Sequence, residues 1–501
     1  SIELPQEFGI GFFFAKKSLK GQLQSDLKKI FKSENLKVIC IRNVPVNLSV
    51  LGEEAKETLP EIFQVFLEQE DASNEMSLSS SLFQALKIIE NKYLNYEELY
   101  VCSLSSETIV YKGLMMPEGL KNFYLDIKNK KFKASTCLFH QRFSTNTASK
   151  WHLAQPFRLL AHNGEINAIR GNRNWAKARS SLFKSSLLPD LHKFENLINA
   201  DGSDSSALDN MIQLLVEGGM DLFRAIRAVI PPAWQNIQIL DPDIRAFHEY
   251  NSMHMEAWDG PAGIALANKR YALSFLDRNG MRPSRYQIEK DGTVTIASET
   301  GVNPVPASKI DTKGRISPGG IFAVDKVAGK ILTESDIDQE LATKYPYRDW
   351  LKQNSSYVES NLVQSEGLGL KKISPKKYTL ATKIFSLFLE ERTSVIKVLG
   401  ISAQEGTGSM GDDTALAVLS KQNRQIYDYF RQQFSQVTNP PIDSLREQSV
   451  MSLETCYGPE LNIFEPSAEH AKRLVTYSPI LSYKKLCLLY TSDAADEVLG
   501  V

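Results

Sequence analysis

The chain has 501 residues, 42% of them hydrophobic, and a formal net charge of −1. A chain of this length can bury a large core and is expected to hold two or more domains. The near-zero net charge gives no overall attraction to nucleic acid or to an anionic membrane, and no apolar stretch reaches the roughly 18 residues that a membrane span needs. Small metabolites are therefore the expected partners.

The predicted elements alternate between strands and amphipathic helices. Apolar patterning predicts helices near 23–31 and 80–93. Strands are predicted at 8–14, 38–41, 98–104, 108–111, 262–267, 271–276 and 319–324. The regular spacing of a doubly wound sheet is missing, so the pattern alone supports a mixed α/β or an α+β fold.

The composition changes after residue 330. Residues 330–377 are charged and rich in serine, which predicts a connector that crosses the surface. Apolar residues at helical spacing then predict a helix within 380–399.

The five cysteines are widely spread, at positions 40, 102, 137, 456 and 487, and have no metal-ligand spacing. This distribution favours a reducing compartment. Cys137 lies in the apolar run 135–139, where we expect a buried core thiol.

The most informative segment is His-Asn-Gly-Glu-Ile-Asn at 162–167, which follows the apolar stretch 157–161. A short strand that ends in Asn163 and Gly164 can direct a side-chain amide and a backbone N–H at one developing negative charge, which is the requirement of an oxyanion hole. An isolated Asn-Gly pair would instead indicate a hairpin turn.

Charged groups flank this segment in sequence. Arg142, in His-Gln-Arg-Phe-Ser-Thr-Asn at 140–146, offers a guanidinium fork for a carboxylate, and Asp204, in Gly-Ser-Asp-Ser-Ser at 202–206, offers a carboxylate for an ammonium group. Taken alone, Arg142 would be a surface ion pair and Asp204 a helix cap. An amino-acid amide would satisfy all three features together.

With Ala-Gln-Pro-Phe-Arg at 154–158 and Gly-Asn-Arg-Asn-Trp at 171–175, the chain resembles the class II, N-terminal-nucleophile glutaminase region of glutamate synthase large subunits over about residues 8–483. The resemblance implies an α+β fold, the four-layer αββα sandwich. It also implies that Arg142 holds the α-carboxylate of L-glutamine, that Asp204 holds its α-ammonium group, and that Asn163 and Gly164 form the oxyanion hole. Lys177 and Arg179, which lie near Arg173 and could suggest a nucleic-acid surface, are interpreted as part of a solvated amphipathic helix.

In this family the nucleophile is an N-terminal cysteine whose α-amino group is the general base. The sequence begins at Ser1 and the segment 8–14 resembles an internal strand of the family. We therefore expect a fragment that lacks the first strands and shows no glutaminase activity by itself. A terminal serine nucleophile at Ser1 is the less favoured alternative, because no short apolar strand carries it.

A second resemblance begins after the connector. Gly-Ser-Met-Gly-Asp-Asp-Thr at 408–414 and Val-Thr-Asn-Pro-Pro-Ile-Asp at 437–443 resemble the start of the glutamate synthase central domain, an α/β domain. Thr438 and Asn439 would lie near the entrance of an ammonia tunnel, or in a structural Pro-Pro turn. The expected organisation is 1–355 for the glutaminase domain, 356–486 for the connector and central domain, and 487–501 for a tail that resembles translated adapter sequence.

In the parent enzyme that this resemblance implies, ammonia from glutamine aminates 2-oxoglutarate at an FMN site beside a [3Fe-4S] cluster. The electrons come from ferredoxin or from a small NADPH-oxidising subunit. Neither cofactor is expected in this chain, and the implied location is the cytoplasm, or a plastid in a photosynthetic eukaryote. Another class II amidotransferase and a non-catalytic glutamine-binding relative remain as alternatives.

Overall fold

The computed structural model describes residues 4–71, 76–142, 149–237, 239–358, 373–402, 417–430 and 450–478. The chain divides into two compact units. The first unit contains 1–232, 239–356 and 458–473, and the second contains 233–238, 357–457 and 474–501.

Both units contain strands and helices. The strands in the described ranges are β1 (Gly9–Ala15), β2 (Leu36–Asn43), β3 (Glu61–Gln69), β4 (Leu99–Ser105), β5 (Leu160–Gly164), β6 (Ala262–Ala267), β7 (Tyr271–Leu276), β8 (Arg285–Glu289), β9 (Val294–Ala297), β10 (Ile310–Arg315), β11 (Ile321–Asp325), β12 (Lys330–Leu332), β13 (Ser356–Val358), β14 (Thr455–Tyr457) and β15 (Leu474–Thr476). The α-helices there are α1 (Lys20–Ser33), α2 (Glu53–Glu57), α3 (Leu78–Lys92), α4 (Leu120–Phe123), α5 (Ile169–Arg179), α6 (Asp204–Glu217), α7 (Leu222–Val229), α8 (Pro242–Ser252), α9 (Glu334–Thr343), α10 (Tyr347–Asn354), α11 (Pro375–Ile384) and α12 (Lys397–Ser402).

Three sheets belong to the first unit. Their strand orders are β2-β3-β1-β4, β12-β11-β7-β6-β5 and β10-β8-β9, and the pairings in all three are antiparallel. A fourth sheet, β13-β15-β14, includes the second-unit strands β14 and β15. The expected mixture of helices and sheets is therefore confirmed, and the β5 end of the five-stranded sheet carries the Asn-Gly pair.

Strand β1 shows why the run of three phenylalanines is needed. Phe13 stacks on Phe63 of β3 with ring centroids 5.1 Å apart, while Phe12 and Phe14 belong to the core cluster on the other face. A strand covered on both faces is continuously apolar instead of alternating. The predicted strand at 8–14 is confirmed with a shift of one residue.

Helices α3 and α6 begin with serine caps and are buried along most of their length. Ser77 accepts from the backbone N–H of Ser80, and Ser203 accepts from that of Ser206. These bonds satisfy N–H groups that a helix start otherwise leaves without a partner. Both helix starts are therefore held in one geometry.

The predicted strand at 108–111 is wrong. This segment is irregular, because the N–H of Val110 is bonded to the side chain of Ser103 instead of to a neighbouring strand. Strand β3, by contrast, was not anticipated, although it pairs with both β1 and β2.

The surface connector predicted for 330–377 is also corrected. Strand β12 and helices α9 and α10 occupy its first half, and the two helices bury Ile337, Leu341, Tyr347 and Leu351. The helix predicted in 380–399 is interrupted, since α11 ends at Ile384 and Ser386 has a φ of 51°. No helix in the described ranges is long and apolar enough to cross a membrane.

Helix α9 is anchored by a buried ion pair with α7. Arg227 donates from Nε to Oδ1 of Asp338 at 2.8 Å and from Nη2 to Oδ2 at 2.7 Å, and its Nη1 donates to the carbonyl of Gly319 at 2.6 Å. Both charged side chains are nearly inaccessible to water. Removal of Asp338 would leave the buried guanidinium with only the longer contact to Glu334, at 3.3 Å, which does not replace a two-point ion pair.

Replacement of Asp338 by alanine is expected to lower the free energy of unfolding by about 3 kcal/mol, because the buried Arg227 guanidinium loses its two-point partner and keeps only Glu334, at 3.3 Å, as a carboxylate contact. Urea unfolding followed by circular dichroism measures this change. Glu340→Ala, an exposed change on the same helix, is the matched control and should stay within about 0.5 kcal/mol of the unchanged protein. Equal effects of the two changes would contradict the importance of this ion pair.

Candidate active site

Asn163 and Gly164 are the last two residues of strand β5. They pair with Gly263 and Ala262 of β6 in an antiparallel register, so the pair lies at a strand end and not in a hairpin turn. The expected short strand that delivers this pair is present.

Two glycines allow the chain after β5 to run against the chain before β6. A Cβ on Gly164, whose φ is +151°, would lie 1.8 Å from the carbonyl oxygen of Pro261, and a Cβ on Gly260 would lie 1.9 Å from that of Glu165. Neither distance is compatible with a side chain. The N–H of Glu165 donates to the Pro261 carbonyl at 2.9 Å, and the N–H of Asn167 donates to the Asp259 carbonyl at 2.8 Å. The backbone around the candidate oxyanion hole is thus fixed by main-chain contacts.

The side-chain amide of Asn163 has no hydrogen-bond partner within the described ranges, and the residue is half-buried. Its N–H donors are therefore available to a ligand, next to the backbone of Gly164.

Asp204 lies in the first turn of α6, and it does not cap that helix because Ser203 does. Its Oδ2 accepts from the backbone N–H of Ile166 at 2.7 Å, two residues beyond the Asn-Gly pair. Its Oδ1 is contacted by the hydroxyl of Ser205 at the long distance of 3.4 Å. One carboxylate oxygen thus holds the loop and the other retains acceptor capacity for an ammonium group.

Arg173 of α5 supports the turn that leads to Asp204. Its Nη2 donates to the carbonyl of Gly202 at 2.6 Å and, at 3.3 Å, to that of Ser203. Burial lowers the pKa of Arg173, and the nearby Asp204 carboxylate opposes this effect. Arg179 at the other end of α5 is buried against Glu256 and Glu460, so the expectation of a solvated helix is wrong for this arginine.

Arg142 is exposed, and its guanidinium makes no bond to another described residue. Its backbone N–H lies 3.3 Å from Nδ1 of His140. His140 is close enough to the backbone of His162 that this backbone raises its pKa against the larger lowering by burial. The segment of Arg142 therefore reaches the neighbourhood of β5, but the structure records no contact of the guanidinium with Asn163 or Asp204.

The expectation of a buried thiol at Cys137 is wrong, because its side chain is exposed. Residues 131–142 form neither helix nor strand, so the apolar run has no partner strand to pack against. Residues 143–148, which complete the Arg142 motif, lie outside the described ranges.

Three residues around β5 were not selected from the sequence. His162 is 2% exposed, and its Nδ1 lies 2.7 Å from the hydroxyl of Ser205. Burial lowers the pKa of His162 to about 4, with Asp204 acting in the opposite direction. The side chain of Gln155 bonds both the N–H and the carbonyl of His162, at 2.7 and 3.0 Å. In the sequence, His162, Ser205 and Gln155 were marked only by their presence in the motifs at 162–167, 202–206 and 154–158.

The predicted tunnel residues Thr438 and Asn439 lie outside the described ranges, as do 408–414 and the tail 487–501. The four described cysteines lie on separate segments of the chain, at positions 40, 102, 137 and 456. Within the described part of the chain no group of three or more His, Cys, Asp or Glu could hold a metal ion. The described cysteines therefore do not fit an iron–sulfur cluster.

Comparison with known proteins gives two family matches. The model for class-II glutamine amidotransferases matches residues 1–350, and the model for the glutamate synthase central domain matches residues 381–498. The ferredoxin-dependent glutamate synthase of Antithamnion sp. is 40% identical over 478 residues, which are 92% of this chain and 31% of that protein. The glutamate synthase [NADPH] large chain of Bacillus subtilis is 36% identical over 498 residues, 98% of this chain and 32% of that protein.

The chain thus spans about a third of the length of these relatives. Among solved structures, the glutamine phosphoribosylpyrophosphate amidotransferase from B. subtilis covers 39% of this chain, and 33% of its own length is matched, at 20% identity with a TM-score of 0.24. The assignment accordingly rests on the sequence matches. The chain belongs to the class-II glutamine amidotransferases, in combination with a glutamate synthase central domain.

Proposed function

We propose that the first unit binds L-glutamine and hydrolyses its side-chain amide, and that the whole protein is a glutamate synthase that uses the released ammonia. The observation that carries the proposal is the unbonded amide of Asn163 beside Gly164, at a strand end whose following loop is held by Asp204. A donor without a protein partner at this position suits a charge that exists only during the reaction.

In the proposed reaction a thiolate attacks the side-chain amide carbon of glutamine and forms a tetrahedral intermediate with a negative oxygen. Asn163 and the backbone N–H of Gly164 donate to this oxygen. The α-amino group of the nucleophile, which took the proton of the thiol, gives that proton to the leaving nitrogen, so the intermediate expels ammonia and leaves a thioester. Water then hydrolyses the thioester to glutamate and the free thiol. By resemblance to the class II amidotransferases, the nucleophile is proposed to be an N-terminal cysteine of the whole protein. Burial raises the pKa of the Cys102 thiol to about 12, so this cysteine is a poor source of thiolate.

The substrate ends are proposed to be held by opposite charges. Asp204 accepts from the α-ammonium group with the oxygen that does not bind Ile166, and the exposed guanidinium of Arg142 binds the α-carboxylate. In this proposal the first unit is the four-layer αββα sandwich, and strands ahead of the described residues complete it.

The match to the glutamate synthase central domain favours this parent over other class II amidotransferases. By analogy with relatives that are named ferredoxin-dependent or [NADPH], the electron donor is ferredoxin or an NADPH-oxidising partner. FMN, the [3Fe-4S] cluster and the 2-oxoglutarate site are proposed for other parts of the whole protein, with Thr438 and Asn439 kept as candidates for the ammonia path.

Asn163→Ala in the full-length protein is expected to lower the kcat of glutamine hydrolysis by roughly 10²–10³-fold, with a much smaller change in KM, because one oxyanion donor is lost. Glutamate release from glutamine measures this. Asn122→Ala, which removes an exposed amide on α4, is the control and should leave kcat unchanged. A full-length protein that binds glutamine without any turnover would instead identify a glutamine-binding relative.

Asp204→Asn is expected to raise the KM for glutamine by roughly 10–100-fold, the scale of losing a hydrogen bond between charged groups. Asparagine keeps an oxygen for the N–H of Ile166, so the loop should hold its position while the charge is lost. Asp201→Asn, an exposed change three residues earlier, is the matched control. A fall in kcat at constant KM would assign Asp204 to the chemical step and not to the ammonium group.

Arg142→Lys is expected to raise KM by roughly tenfold with kcat little changed, because a point charge replaces a fork that binds a carboxylate at two positions. Arg285→Lys, an exposed position on β8, controls for the general effect of the exchange. An unchanged KM would show that Arg142 does not hold the substrate carboxylate.

A further inference from the structure

Helix α6 contacts the strand that carries the candidate oxyanion hole at three points. At the start of strand β5, the backbone N–H groups of Leu159 and Leu160 both donate to Oδ1 of Asp209, at 2.8 and 3.1 Å. In the middle of the strand, the ring of His162 contacts the hydroxyl of Ser205. Beyond the end of the strand, the backbone N–H of Ile166 donates to Asp204. The helix therefore fixes residues 159–166 along their length, and its own start is fixed by its serine cap.

The middle contact differs from the other two because it joins two side chains. The 2.7 Å distance between Nδ1 of His162 and the hydroxyl of Ser205 is that of a good hydrogen bond, and both residues are buried. Nε2 of His162 is buried, and the backbone carbonyl of Pro261 raises the pKa of the ring against the larger lowering by burial. The hydroxyl of Ser205 also lies 3.4 Å from Oδ1 of Asp204.

The ring of His162 lies directly against the residue that supplies the backbone donor. A Cβ placed on Gly164 would be 2.9 Å from Nε2 of His162 and 1.8 Å from the Pro261 carbonyl oxygen, so the glycine is enclosed between the two. The main chain of His162 is held at the same time by Gln155. A shift or rotation of this ring would displace the backbone between His162 and Glu165, which includes Asn163.

We propose that Ser205 and His162 are positioning residues of the oxyanion hole, an inference that rests on the proposed glutaminase function. Neither residue is assigned a contact with substrate. Ser205 holds the imidazole, and the imidazole sets the backbone that presents Asn163 and Gly164 to the reacting amide. Donors must be held within a fraction of an ångström of the developing charge to stabilise it.

The test compares Ser205→Ala with Ser205→Thr in the full-length protein. Alanine removes the hydroxyl, and kcat for glutamine hydrolysis is expected to fall roughly 10- to 100-fold with KM within about twofold. Threonine keeps the hydroxyl, and kcat is expected to recover to within a fewfold of the original. Ser81→Ala removes a buried hydroxyl on α3 that has no hydrogen-bond partner among described atoms, and should leave kcat unchanged.

A double-mutant cycle with Asn163→Ala separates positioning from a general structural role. If Ser205 acts through Asn163 and its neighbour, the loss caused by Ser205→Ala shrinks severalfold when Asn163 is already alanine. If the kcat losses of the two single variants multiply in full in the double variant, Ser205 acts independently of Asn163 and the inference is overturned. An unchanged kcat in the Ser205→Ala enzyme also overturns the inference. The same holds if Ser205→Thr does not restore kcat and the melting temperature of Ser205→Ala falls, since the role of Ser205 would then be structural.

The outcomes distinguish this inference from the proposed function. Absence of glutamine hydrolysis in the unchanged full-length protein contradicts the function. Hydrolysis that depends on Asn163 but not on Ser205 contradicts only the positioning roles. Should Ser205→Ala fail to fold, His162→Asn against His162→Ala gives the same comparison, because an asparagine amide can occupy the place of Nδ1 and is expected to retain more activity than alanine.

Discussion

The close approach of two backbone segments is the constraint on which the candidate site depends. Residues 164–168 and 259–262 run so near each other that Gly164 and Gly260 leave no space for a Cβ. Main-chain hydrogen bonds then fix both segments, and the direction of Asn163 follows from that packing. A donor that is held by main-chain contacts needs little reorganisation when a negative charge develops.

Helix α6 both supports strand β5 and carries a residue of the candidate site. Asp209 sits in a buried charged group with Arg158, which also binds Glu90 of α3 and Gln213 of α6. Burial raises the pKa of Asp209, and Arg158 together with the N–H groups of Leu159 and Leu160 offsets part of that rise. The carboxylate that orients the start of β5 is thus stabilised by the same network that joins α3 to α6.

Much of the fold was accessible from the sequence because apolar periodicity directly reflects burial. Strands β6 and β7 match their predicted bounds residue for residue. The errors arose where tertiary contacts override the local pattern. At 108–111 a serine side chain takes the place of a neighbouring strand, and at 334–354 a polar composition concealed two helices, of which α9 is anchored by Arg227. For the candidate site, the family resemblance selected Asn163, Gly164, Arg142 and Asp204, which residue types alone would not have separated from a turn, a surface ion pair and a helix cap. His162 and Ser205 could not be selected, since their pairing exists only once α6 packs on β5.

The two family matches and the two structural units have different boundaries, and this has a physical cause. Residues 458–473 fall within the central-domain match, yet they belong to the first unit. Glu460 in this segment binds Arg179 at the end of α5, and Arg179 also binds Glu256, which precedes the 259–262 backbone beside the candidate oxyanion hole. A segment that lies within the central-domain match therefore supplies a half-buried carboxylate to Arg179, so the first family match alone does not contain every charged partner of helix α5.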